Sequence, residues 1–168
     1  MPAKTVTLHS AQEVNDLWHS SGVHGRRAVI FTRHLNKIFS PVLINAFPEI
    51  NYLETAMRHG IVRTAHYIVP DRIWLEVYEE ILANTVLVIP PKKTAVGFLL
   101  LHERGDIHVV PFSEYIPDHE REKALVVIEP AAWTPQEQSR INGFIRSGQL
   151  TSDLTVIIGD VTSTVKQP

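Results

Sequence analysis

The sequence predicts a single α/β domain whose mixed sheet combines a parallel portion with an antiparallel hairpin, with helices packed on the sheet faces. Two observations carry this. Ala124 to Asp160 reads as a complete βαβ unit: the apolar run Leu125-Val126-Val127-Ile128, a helix start at Thr134-Pro135-Gln136-Glu137, and a second apolar run from Leu154 to Ile158. Upstream, Val96 to His102 and Ile107 to Phe112 flank Glu103-Arg104-Gly105-Asp106, which is turn chemistry between two apolar runs and therefore a β-hairpin. A chain of 168 residues is long enough for one full core and short for two.

The remaining elements follow in order. Thr5 to Leu8 is short and β-branched, as a strand is, and Ser10-Ala11-Gln12-Glu13 supplies a reciprocal helix cap. The helix that follows presents Val14, Leu17 and Trp18, and ends at Gly22 and Gly25. Ala28 to Thr32 is a buried strand finishing in Thr32-Arg33-His34. From Leu35 to Phe47 the apolar residues follow helical spacing, with Ser40-Pro41 restarting the helix and Pro48 ending it.

A further helix carries Ile50, Leu53 and Met57 and stops at Gly60. Ile61 to Val69 fits either a strand or a helix extension. Pro70-Asp71 opens an amphipathic helix with Ile73, Trp74, Val77, Tyr78, Ile81 and Leu82 inward, ending near Asn84. Thr85 to Ile89 reads as a buried strand closed by Pro90-Pro91-Lys92-Lys93. Phe112 to Ile116 is irregular between two prolines, Asp118 to Lys123 is a charged connector, and residues 160–168 form a polar tail expected to fray.

Composition limits the function classes. The apolar content is 44%, the charged content 20% and the mean hydropathy −0.01, which are the values of a globular chain. A net charge of −2 gives no overall field to hold the chain on nucleic acid or an anionic membrane, so neither partner is expected. Without cysteine there is no disulfide, thiol nucleophile or thiolate metal site. Met1 to Leu8 lacks a signal-peptide pattern and the longest apolar stretches are too short to span a bilayer, so a cytoplasmic location is expected. No Gly-rich phosphate loop, dinucleotide fingerprint or Gly-x-Ser-x-Gly elbow occurs, so no cofactor is named.

Ligands of open α/β sheets sit beyond the carboxyl ends of the parallel strands. That rule selects Arg33 and His34, Lys92 and Lys93, Glu129, and Asp160, joined by the helix start at Thr134 with its unpaired amides. Cations, two carboxylates and a helix N-terminus suit a phosphate- or carboxylate-bearing metabolite. Glu129, Asp160 and His34 are the residue types for proton transfer, and Arg33, Lys92, Trp133 and Thr134 those for binding. Each has a plain structural role as well: strand-end carboxylates cap loops, Arg33 and His34 suit a surface ion pair, and Trp133 between strand and helix suits packing.

Nine histidines raise the question of a metal, and a three-residue loop would set His102 opposite His108 across the hairpin. Two ligands do not make a zinc site, and His102-Glu103-Arg104-Gly105-Asp106 has Asp where a zinc protease has its second His, so no metal is assigned. Nuclease-like chemistry at Asp106 and Glu114 ranks last, because Ile116 stands where such a site wants Lys. The stripe from Leu35 to Phe47 supports a different class of function, a non-catalytic interaction protein or homo-oligomer that uses this face as its interface.

Overall fold

The computed structural model describes residues 4–33, 52–83, 89–117 and 123–159. The 35–47 stripe, most of the 85–89 strand, most of the 118–123 connector and the 160–168 tail fall outside the described residues.

Eight strands form one sheet, β1 (Lys4–Leu8), β2 (Arg26–Phe31), β3 (Val62–Val69), β4 (Lys92–Lys93), β5 (Phe98–His102), β6 (Gly105–Pro111), β7 (Ala124–Ile128) and β8 (Ser152–Ile158). The helices are α1 (Ala11–Ser20), α2 (Tyr52–Arg58), α3 (Trp74–Ala83) and α4 (Pro135–Arg146). The strand order is β1-β8-β7-β2-β3-β6-β5-β4. The six strands from β1 to β6 in that order run parallel, and β5 and β4 complete an antiparallel edge.

The capping signals act as read. Ser10 and Glu13 form a reciprocal cap on α1, and Thr134 and Glu137 form another on α4. Ile61 to Val69, which periodicity left between two readings, is strand β3. Gly60 decides it: at φ 70° it leaves the helical region, its N–H donates to the Met57 carbonyl and the Ile61 N–H donates to the Ala56 carbonyl. This pattern closes α2 and sends the chain out extended. Two other readings are corrected. Leu82 is 51% exposed rather than inward, because the buried stripe of α3 narrows to Val77 and Ile81. Lys92 and Lys93 form the edge strand itself rather than the loop that closes a strand, and their charges guard that edge against further pairing.

Crossovers between parallel strands are right-handed, so direction of travel fixes the face on which each helix lies. Moving from β1 to β2, β2 to β3 and β3 to β4, the chain lays α1, α2 and α3 on one face, where Val14, Trp18, Leu53, Met57, Val77 and Ile81 pack on Ala28, Ile30, Tyr67 and Val127. Returning from β6 to β7 and on to β8, it lays Phe112, Tyr115 and α4 on the other face, against Val29, Phe31, Ile68 and Val126. At the amino ends of the strands Arg26 holds the Lys123 carbonyl and both carboxylate oxygens of Asp153, the extra residue of a bulge in β8.

Gly105 begins β6 where the chain presses on β3; a Cβ there would lie 1.9 Å from the Arg63 carbonyl oxygen. Gly105→Ala is expected to destabilise the protein by about 1–3 kcal/mol, through forced separation of the two strands. Gly143, on α4 with open space around it, is expected to gain about 0.5–1 kcal/mol as Ala. Urea unfolding of the two variants reads both signs.

Candidate functional site

The winding direction reverses between β2 and β7. The chain leaves β2 toward β3 and leaves β7 toward β8, so the carboxyl ends of these two neighbouring strands flank the switch point at which open α/β sheets place a ligand crevice. Phe31 pairs with Ile128 as the last rung, and the Glu129 N–H donates to the Phe31 carbonyl just beyond it. Thr32 and Glu129, the next residues out, face each other across the gap.

Strand alternation places their side chains. Ala28 and Ile30 point to the face of α1–α3, so Thr32 does too; Leu125 and Val127 do the same for Glu129. The Thr32 hydroxyl donates to Glu129 Oε2 at 2.6 Å, with Thr32 fully buried and Glu129 half-buried. A short bond to a carboxylate is of the strong, charge-assisted kind. Arg33 follows directly and is exposed.

Two tyrosines lie within the field of Glu129. Tyr67 on β3 pairs with Ile30, and Tyr52 begins α2 with its ring edge-on to Trp18 at 5.5 Å. Both are buried, and both phenols are held well above their ordinary ionisation range. Burial is the largest cause for each; Tyr67 and then Glu129 add to it at Tyr52, and Glu129 adds to it at Tyr67. The Tyr52 hydroxyl has no hydrogen-bond partner among the described residues. The ends of β2 and β7 therefore carry a hydroxyl-oriented carboxylate, with Arg33 next in the chain and, within the field of Glu129, a buried phenol whose hydroxyl has no partner among the described residues.

The other residues selected from the sequence are dispersed. His34 and Asp160 lie outside the described residues. Lys92 sits on the edge strand, four strand spacings or about 19 Å from β2. Trp133 is 5% exposed and wedged between Phe31 and Phe112, with ring centroids at 6.1 and 5.1 Å, on the opposite face from Glu129. Thr134 caps α4, and Glu137 Oε2 accepts from the Thr134 N–H and from Arg72, so the first turn of α4 already holds its own carboxylate. Arg72 also donates to the Ala132 carbonyl, tying the loop after β3 to the loop after β7.

The hairpin turn is two residues, not three. It sets His102 opposite Gly105 and His108 opposite Leu99, and His108 instead stacks on His66 of β3 at 4.9 Å. Among the described residues no three His, Asp or Glu side chains gather to hold a metal ion, and no helix is long and apolar enough to cross a membrane.

Sequence reasoning passed over Tyr52 and Tyr67. Tyr67 lies in a strand that also carries Arg63, Thr64 and His66, so nothing in the sequence singles it out, and Tyr52 joins it only through the packing of α2. No family model, curated protein or solved structure matches the chain.

The raised phenols fix a pH response. An unfolded tyrosine ionises near pH 10 while Tyr52 and Tyr67 in the folded protein do not, so their contribution is complete below about pH 10 and lost above it. Stability is expected to fall by about 1 kcal/mol per tyrosine for each pH unit above about 10. Phenolate absorbance checks this: in Tyr52→Phe and Tyr67→Phe the amplitude lost should be that which appears only on unfolding.

Proposed function

We propose that this protein binds, and in binding positions for reaction, a small phosphate- or carboxylate-bearing metabolite at the crevice between β2 and β7. The observation that carries the reading is the Thr32–Glu129 pair at the point where the winding reverses, because open α/β sheets bind ligands at such a point and there a buried hydroxyl orients a carboxylate. Arg33 supplies the charge that attracts an anion and fits its oxygens in a planar fork. The Tyr52 phenol donates to the ligand, since a protonated buried hydroxyl is a neutral donor that repels no anion.

Glu129 is the acid or base of the site. The Thr32 hydroxyl donates to one carboxylate oxygen and so fixes the plane in which the group would exchange a proton with a ligand. His34 and Asp160, next in sequence to Arg33 and Gly159, are further proton-transfer residues of the same proposal. A cytoplasmic location belongs with it, since phosphorylated and carboxylated metabolites are concentrated there.

Thermal unfolding of the full chain against nucleotides, sugar phosphates and small carboxylates tests the proposal. A ligand at a hundred times its dissociation constant adds about 2.7 kcal/mol, a shift of roughly 5–10 °C for a chain of this size. Arg33→Ala and Glu129→Gln should remove the shift. Tyr52→Phe should reduce it while raising the unliganded stability by about 1 kcal/mol, because it deletes an unsatisfied buried hydroxyl. A ligand whose shift survives all three variants would place binding elsewhere.

A further inference from the structure

A second concavity opens along the same edge of the sheet, beyond the carboxyl ends of β3 and β6. It is a groove of about 500 Å³, lined by Asp71, Trp74, Tyr78, Lys93, Gly97 and Glu114 among others. That volume falls within the range of small-molecule sites.

The walls are tied before any ligand arrives. The Ser113 N–H donates to Asp71 Oδ1 at 2.9 Å, fastening the loop after β6 to the loop after β3. On the far side Thr94 and Gly97 close a tight turn through two hydrogen bonds, the Thr94 N–H to the Gly97 carbonyl and the Gly97 N–H to the Thr94 hydroxyl. Gly97 is pressed on β6 so closely that a Cβ would lie 2.0 Å from the Val109 carbonyl oxygen.

One side of the groove is an aromatic shelf. Trp74 and Tyr78 are one helical turn apart on α3, both half-buried, with ring centroids 6.2 Å from each other and 6.2 and 5.0 Å from the buried Phe98 beneath them. Lys93 Nζ stands 5.1 Å over the Tyr78 ring, and among the described residues no cation stands over Trp74. Asp71 and Glu114, both exposed, line the groove as its two acidic residues. Two carboxylates against one ammonium give an anion nothing to gain here, which separates this groove from the crevice at Glu129.

We infer that the groove binds an uncharged polyhydroxylated ligand with one flat apolar ring face, stacked on Trp74 with its neighbouring hydroxyls donating to Asp71 and Glu114. Carboxylates accept from paired hydroxyls as they do from a ribose diol, and an indole face stacks on a ring whatever its substituents. A nucleoside and a pyranose sugar both have this chemistry.

Three tryptophans are present, and Trp18 and Trp133 are buried, so Trp74 is the one whose emission an added ligand changes. The full chain is titrated with adenosine and, separately, with methyl glucoside, by tryptophan fluorescence excited at 295 nm and by calorimetry. Saturable binding of either probe below about 1 mM is expected, lost in Trp74→Ala and weakened at least tenfold in Asp71→Asn and Glu114→Gln. Adenosine alone identifies a nucleoside site, methyl glucoside alone a sugar site. Glu114 is exposed and its replacement leaves the core untouched, so it reads the groove even if Trp74→Ala fails to fold. Glu129→Gln should leave this binding unchanged, which keeps the outcome independent of the crevice. No saturation by either probe up to 10 mM, or undiminished binding to Glu114→Gln and Asp71→Asn, overturns the inference.

Discussion

The handedness of the crossovers is the constraint on which the rest of the molecule depends. A strand buried on both faces needs helices on both, and with every parallel crossover right-handed the chain can cover the second face only by reversing its direction of travel. The core of β2, Ala28 to Phe31, is fully buried, so the reversal is obligatory beside it. The same step that completes the core separates the loops after β2 and β7. The switch point is thus a by-product of burial, and the polar residues that end those two strands, Thr32 and Glu129, meet beside it.

The residues delivered there are costly ones. Thr32 is buried and needs a partner, which Glu129 provides; Tyr52 is buried and its hydroxyl has none among the described residues. An unsatisfied buried donor costs about 1–3 kcal/mol, a large part of the margin of a small domain. By contrast, Trp133 and Thr134, on the other face, serve the core and the cap of α4: the ring fills the space between Phe31 and Phe112, and the hydroxyl satisfies Glu137.

Two unlike chemistries share one edge of the sheet. The β2–β7 end has a carboxylate held by a hydroxyl; the groove has an aromatic shelf and carboxylates that outnumber its ammonium. Arg72 and Asp71, adjacent in the chain, connect the two regions. Arg72 reaches across to Glu137 and Ala132 beside the loop after β7, and Asp71 holds Ser113 in the wall of the groove. The turn before α3 is therefore the bracket that spaces both concavities along the edge.

Local signals were legible wherever the interaction is local. The caps at Ser10 and Thr134, the hairpin around Glu103-Arg104, the β7–α4–β8 unit and the mixed α/β class could all be read, because each rests on residues within a few positions of one another. Of the residues in the proposed site, Glu129 and Arg33 were legible as polar residues ending buried strands, which is all that the sequence says of them. The remainder depended on long-range pairing. The partner of His108 proved to be His66 on β3 rather than His102 on its own hairpin. That Lys92 is about 19 Å from β2 while Thr32 touches Glu129 follows from strand order alone. Local sequence fixes which strand a residue ends, since capping and periodicity act over a turn or two; only the packed sheet decides which strands are neighbours, since that choice is made by burial summed over the whole core.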